Sequence, residues 1–338
     1  MDFCFLFAYL LLMPLIGKKQ VLDGTKLSRK SSVFYDLYTK QKQAVWFPEE
    51  INVQIDINDY AKLTNEEKHV FHQLVAYFTT TELIVQNVLG ESFYPYVIDP
   101  RAKMAMTAQM FMEDIHSDFF EMILNTFNLD HEALYQIADS NPIINQKQQM
   151  VAHYANAISI SNGGVDADSI DGKKAILMAI LINNVIQEGT WFYSGFALFF
   201  AMRETGKMRN ICNGIDLVLI DESFHLKLGV EMIMTILEET PEMLEDGDFV
   251  QLVQQAIVDG TELELEFLRS LMGTTTAFNL SYDEMSIYLK YVTDRRLQEL
   301  GFDPHYNIDK NPLQFLEKQD LMSLQNFFEV SPNNYTNF

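Results

Sequence analysis

The chain has 338 residues, of which 48% are apolar, and it carries 25 phenylalanines and 15 tyrosines. That is enough for a large core in one big domain or two ordinary ones, and it excludes a disordered protein. A formal charge of −23 argues against a nucleic-acid partner, because nothing here displaces counterions from phosphate.

In chain order, the first feature is the apolar stretch FCFLFAYLLLMPLIG at residues 3–17. It is shorter than the roughly 20 residues of a membrane span. It also lacks a positive flank ahead of it, since Asp2 precedes it and Lys18 and Lys19 follow. Residues 1–28 are therefore expected as an extension outside the core, with Met13 as an alternative start and membrane attachment not expected. The main domain is expected over 29–318, with a tail at 319–338. Residues 64–90 open on Thr64 and Glu67, the pattern of a capping box, before the apolar run VFHQLVAYF. Further helices are predicted over 101–128, 131–159, 171–205, 214–239, 247–272 and 282–300, and SNGGVDADSIDG at 161–172 reads as a linker. Only nine prolines and fifteen glycines interrupt the chain, and no strand alternation is visible, so the expected fold is all-α. Two cysteines, Cys4 and Cys212, form no disulfide framework and fit a reducing compartment, the cytoplasm.

Helices that are apolar nearly all round, such as 176–202, belong inside a bundle, where an unpaired charge is expensive. The charged residues within them need a reason. Three Glu-x-x-His spacings occur: Glu66/His69, Glu113/His116 and Glu222/His225. Residues three apart share a helix face, so both side chains reach one point. Glu66/His69 lies in the polar stretch NEEKH beside the cap and reads as an ordinary surface pair. The other two pairs sit in apolar helices, and each follows a lone glutamate in an earlier apolar helix: Glu82 before Glu113, and Glu188 before Glu222. A unit of one Glu followed by Glu-x-x-His thus occurs twice. That inventory matches a carboxylate-bridged two-metal site in a four-helix bundle of the ferritin-like kind. Four carboxylates brought together repel by many kcal/mol, even at an effective dielectric of about 20. Two divalent cations cancel them, and mixed O and N donors suit iron or manganese.

The segments WFPEE (46–50), EDIHSDFF (113–120), EGTWFY (188–193), DESFHLKLG (221–229), RRLQELGF (295–302) and NFFE (326–329) resemble, in order and spacing, the small subunit of class I ribonucleotide reductase. The resemblance implies metal ligands Glu82, Glu113, His116, Glu188, Glu222 and His225, a homodimer, and a large catalytic subunit as partner. Position 120 is the place where most of the family carries a tyrosine that stores a radical. Phe120 has no phenolic hydrogen, so the oxidising equivalent is expected to stay on the metals. Glu82 with Phe120 resembles the class Ic subgroup, in which manganese and iron share the site; di-iron and di-manganese pairs fit the same six ligands. The resemblance also makes Trp46, Asp221 and Tyr335 the protein side of a long-range electron path. Asp221 is adjacent to Glu222 and is expected to take the second N–H of His116. An iron-storage protein and a self-contained oxidase are the competing readings on the same bundle, and neither needs Trp46, Asp221 or a tail tyrosine.

Because Glu66 and His69 read as a surface pair, Glu66→Ala and His69→Ala are expected to leave the metal content unchanged by elemental analysis.

Overall fold

The computed structural model describes residues 14–18, 32–273 and 276–316. Among these residues, nine longer helices account for most of the chain, and β-structure is limited to two isolated bridges. We name the helices α1 (Ser32–Ala44), α2 (Asn65–Val88), α3 (Pro100–Thr126), α4 (His131–Ser140), α5 (Pro142–Ile158), α6 (Ile170–Glu204), α7 (Arg209–Glu239), α8 (Gly247–Met272) and α9 (Tyr282–Glu299). Helix α2 packs on α3, α3 on α7, and α7 on the middle of α6, which closes a four-helix core; α1 covers α3 and α7, while α8 and α9 cover the middle of α6.

Local chemistry sets most helix ends. The Thr64 hydroxyl accepts from the Glu67 N–H while the Glu67 carboxylate accepts from the Thr64 N–H, the capping box expected from sequence. Helix α3 starts at Pro100, and the Asp99 carboxylate accepts from the N–H groups of Arg101 and Ala102 at 2.7 and 3.0 Å.

Four expectations need correction. The single helix expected over 131–159 is two, α4 and α5. Pro142 disfavours helical backbone at Asn141, which turns extended and caps α5 through its side chain. Helix α7 begins at Arg209 rather than 214, because the buried Asp56 carboxylate accepts from the Ile211 N–H and the Asn210 side chain, each at 2.8 Å. The linker expected at 161–172 is shorter, since Ser169 caps α6 from Ile170 onward. The extension expected outside the core is partly inside it: Leu15 and Ile16 are buried. Ile16 bridges to Val97, and the Leu15 N–H donates to Glu239 at 2.9 Å. This apolar pair fills the gap between 94–99 and the end of α7.

Helix α6 is the most apolar element, long enough to span a membrane, yet 94% of its most apolar window is buried. Its middle, Leu181–Trp191, widens to π-helical hydrogen bonding and every residue of it is buried. The Thr190 hydroxyl donates to the Val185 carbonyl at 2.9 Å, and the Arg296 Nε of α9 donates to the Gly189 carbonyl at 2.6 Å. One bond within the segment and one from outside thus hold turns whose wider form is rare and recurs at functional sites.

Gly195 of α6 abuts the Phe78 ring: a Cβ there would lie 2.6 Å from Phe78 Cε2. The ring cannot retreat, because it stacks between Phe120 and Phe196 at 5.1 and 5.4 Å. Gly195→Ala is expected to lower stability by about 1–3 kcal/mol through overpacking, read as a shift of the denaturant midpoint. Gly247→Ala, with nothing within 4 Å of its added carbon, is expected to stay within about 0.5 kcal/mol.

Candidate metal centre

Each helix of the four-helix core delivers its charged residues to one place. Glu82 comes from α2, Glu113 and His116 from α3, Glu188 from the π-helical part of α6, and Glu222 and His225 from α7; all six are fully buried. Their potential ligand atoms form two groups within which all atoms lie inside 4.8 Å of one another. Glu82, Glu113, His116 and Glu222 make one group; Glu113, Glu188, Glu222 and His225 make the other. Glu113 and Glu222 belong to both, so the two groups share two carboxylates.

Both imidazoles turn Nδ1 inward. His116 Nδ1 lies 3.3 Å from Glu222, 3.5 Å from Glu113 and 3.7 Å from Glu82. His225 Nδ1 lies 3.0 Å from Glu113, 3.2 Å from Glu222 and 3.9 Å from Glu188. The carboxylate oxygens of Glu82 and Glu113 have no hydrogen bond of acceptable geometry, nor has Glu222 Oε1. Buried oxygens without donors cost free energy. The unpartnered oxygens of Glu82, Glu113 and Glu222, with the Glu188 carboxylate and two inward nitrogens beside them, fit a pair of divalent cations.

Without cations, protons take up part of that role. Burial drives the Glu82 carboxyl well above its usual range, against the pull of His116. Burial and the nearby Glu113 and Glu222 charges do the same to Glu188. Glu113 is also buried, but the two imidazoles overcome this and hold it down to about 2. Burial alone would lower both histidines; the surrounding carboxylates, with Asp221 on His116, raise them well above their ordinary value instead.

The next layer orients the six. His116 Nε2 meets Asp221 Oδ2 at 3.1 Å, and the Trp46 indole N–H donates to the same oxygen at 2.9 Å. Trp46 also stacks on His116, with centroids 6.4 Å apart and planes at 28°. The expected Asp221–His116 contact is therefore present, and Trp46 joins it. Three carboxamides that sequence reasoning missed surround Glu188. Gln109 donates to it at 2.9 Å, Asn183 at 2.6 Å and Asn184 at 3.3 Å. Their signal was available: neutral polar side chains inside otherwise apolar helices.

Phe120 is fully buried and stacks face to face on Phe78, with planes at 9°. Phe192 and Phe196 also lie against Phe78. Glu66 and His69 are exposed and belong to neither donor group. Tyr335 and the whole tail expected at 319–338 lie outside the described residues.

A four-helix core that gathers four carboxylates and two imidazoles in its interior defines a ferritin-like dimetal-carboxylate protein. Residues 27–312 match the family "Ribonucleotide reductase, small chain", and the chain belongs to that family. Among named relatives, the ribonucleoside-diphosphate reductase small chain of Vaccinia virus (strain Ankara) is 27% identical over 304 residues, covering 89% of this chain and 87% of the viral one. The ribonucleoside-diphosphate reductase subunit beta of Chlamydia pneumoniae is 26% identical over 301 residues, 86% of this chain and 83% of its own. Solved structures share the fold. The ribonucleotide reductase R2 subunit from Clostridium botulinum has a TM-score of 0.80 at 22% identity, covering 90% of this chain and 99% of that one. The dimanganese(II)-NrdF of Streptococcus sanguinis has a TM-score of 0.73 at 18% identity, covering 89% and 99%.

Glu113→Ala and His225→Ala are each expected to lose at least one of about two transition-metal ions per chain, by elemental analysis of purified protein; full retention in both contradicts the site. Because the surrounding carboxylates raise both imidazoles in the metal-free cluster, while metal binds them neutral, loading should release protons. Apparent affinity should therefore rise with pH, measured against a competing chelator, with proton release read in weakly buffered solution.

Proposed function

We propose that this chain is the radical-generating subunit of a ribonucleoside-diphosphate reductase that keeps its oxidising equivalent on a metal pair. The observation that carries the reading is the doubly shared donor set, joined through His116 and Asp221 to the Trp46 indole. Glu82, Glu113, His116 and Glu222 would hold one ion, and Glu113, Glu188, Glu222 and His225 the other. A bound manganese–iron pair, activated by an oxygen species, supplies a one-electron oxidant; di-iron or di-manganese pairs fit the same donors.

The protein's own residues set where that equivalent rests and where it leaves. Phe120, without a hydroxyl and stacked on Phe78, offers no proton to lose and so stores nothing. This supports a class Ic type of site. Trp46 is the outlet. When its indole gives up an electron, the N–H becomes acidic, and Asp221 Oδ2 at 2.9 Å is placed to take the proton. His116 Nε2 on the same carboxylate ties that proton to the metal ligand set. Tyr335 would relay the electron onward to a large catalytic subunit, which binds the ribonucleotide and forms the deoxyribonucleotide. A homodimer in the cytoplasm completes the proposal. Neither an iron store nor a self-contained oxidase has a use for an indole hydrogen-bonded into the outer shell of a ligand.

Trp46→Phe keeps most of the packing but removes the oxidisable indole. It is expected to bind metal and react with oxidant normally, while nucleotide reduction with the large subunit falls by several powers of ten, each worth about 1.36 kcal/mol. Tyr335→Phe should behave likewise. Activated wild-type protein should show no tyrosyl signal by spin resonance, and manganese plus iron should outperform iron alone. A tyrosyl signal that tracks activity would overturn the assignment of storage to the metals.

A further inference from the structure

Phe120 stores no radical, but it does not isolate the centre. Its ring stacks on Phe78, which meets Tyr77 at 5.5 Å and Phe192 at 5.0 Å. The aromatic cluster therefore leads from position 120 to an oxidisable phenol. Tyr77 is five residues before Glu82 on α2, and Trp191, the second of the two tryptophans, is three residues after Glu188 on α6. Both are buried. A strong oxidant in the core has two nearby sinks that lead nowhere useful.

At the same place stands a buried lysine with no part in the metal chemistry. Lys147 of α5 is 1% exposed, pairs with Glu264 of α8 at 2.5 Å, and lies over three rings. Its Nζ is 3.8 Å from the centroid of Tyr77, 4.6 Å from Phe267 and 4.9 Å from Trp191. Ser194 donates to the other oxygen of Glu264, fixing the carboxylate.

We propose that the Lys147–Glu264 pair is an electrostatic guard that keeps Tyr77 and Trp191 reduced, so that the oxidising equivalent leaves only through Trp46. The oxidant it guards against is the metal pair proposed above, and the inference rests on that reading. Removing an electron from a ring leaves a positive hole, and a cation on the ring face repels it in a medium that screens poorly. Proton loss is blocked as well. The Tyr77 hydroxyl is buried without a partner, and the Trp191 N–H donates to the Gly260 carbonyl at 2.8 Å, which does not take up a proton. Trp46 has the opposite surroundings, because its N–H donates to the carboxylate of Asp221. The two indoles of the chain are thus set apart by what touches them: an anion that accepts a proton for one, a cation and a neutral carbonyl for the other. Glu264 has a supporting role, since it keeps a fully buried ammonium charged.

The test removes the charge and follows the electron. In Lys147→Met, one electron passes from Trp191 to the oxidised metal pair, the indole keeping its N–H proton. Alternatively it passes from Tyr77, whose proton goes to the freed Glu264 carboxylate. After activation without the large subunit, Lys147→Met is expected to show an organic radical absent from wild type and oxygenated Trp191 or Tyr77 peptides by mass spectrometry. The lifetime of its oxidised metal state should be at least tenfold shorter. Lys147→Arg, which keeps the charge, should match wild type. A Lys147→Met protein that holds its metals, keeps the wild-type lifetime and shows no such products overturns the guard.

A second measurement needs neither metal nor substitution. A photogenerated one-electron oxidant applied to metal-free wild-type protein should oxidise Trp46 in preference to Trp191 and Tyr77. Burial, opposed by Glu264, lowers the Lys147 ammonium to about 8. The titratable groups facing it are Glu264 on α8 and Tyr77 on α2, with Trp191 and Ser194 of α6 uncharged beside them. Oxidation of Trp191 and Tyr77 should therefore increase as pH rises through about 8. Equal yields at all three sites, independent of pH, also overturn the guard, whatever becomes of the metal reading.

Discussion

Four carboxylates confined within a few ångströms of one another and buried from solvent are the constraint on which this fold depends. At an effective dielectric of about 20, each close pair repels by roughly 4 kcal/mol, and burial adds a penalty for every ionised group. Such a cluster persists only if surrounding structure prevents it from opening and if cations or protons offset its charge. The long apolar helices provide the first condition. Each of the six clustered residues sits on a helix packed on at least two others, and the least regular part, the π-helical middle of α6, is held from outside by the Arg296 bond to Gly189. The donor geometry provides the second, with both imidazoles aimed inward and several carboxylate oxygens left without hydrogen bonds.

The same charge logic extends beyond the six clustered side chains and makes the centre asymmetric. On the α7 side, one carboxylate oxygen of Asp221 links His116 to the Trp46 indole and gives the cluster a charged connection outward. On the Glu188 side, three neutral carboxamides donate to the carboxylate without adding charge or an oxidisable group. Toward position 120, phenylalanine rings fill the space until the Lys147–Glu264 pair. One face is thus suited to electron transfer and the others to containment. A radical-generating subunit needs that asymmetry, whereas a storage protein does not.

Much of this was legible in the sequence, and for a physical reason. Charged residues at helical spacing inside apolar segments are costly enough to stand out, so all six residues of the cluster, the Asp221 contact and the α2 capping box could be read directly. What could not be read was set at a distance. The start of α7 depends on Asp56, more than 150 residues earlier in the chain, and Lys147 pairs across 117 residues with Glu264. The burial of Leu15 and Ile16 depends on the 94–99 turn and Glu239. The break at Pro142 belongs to neither class. Its signal was local and present, but it was outweighed by the amphipathic pattern on either side.

Anomalous diffraction from crystals of metal-loaded protein, collected at the manganese and iron edges, tests the central claim most directly. Two peaks are predicted, one within each donor group, about 3.5–4 Å apart as in other two-metal sites, with the Glu113 and Glu222 carboxylates between them. A single peak, or peaks away from these six residues, would contradict the account.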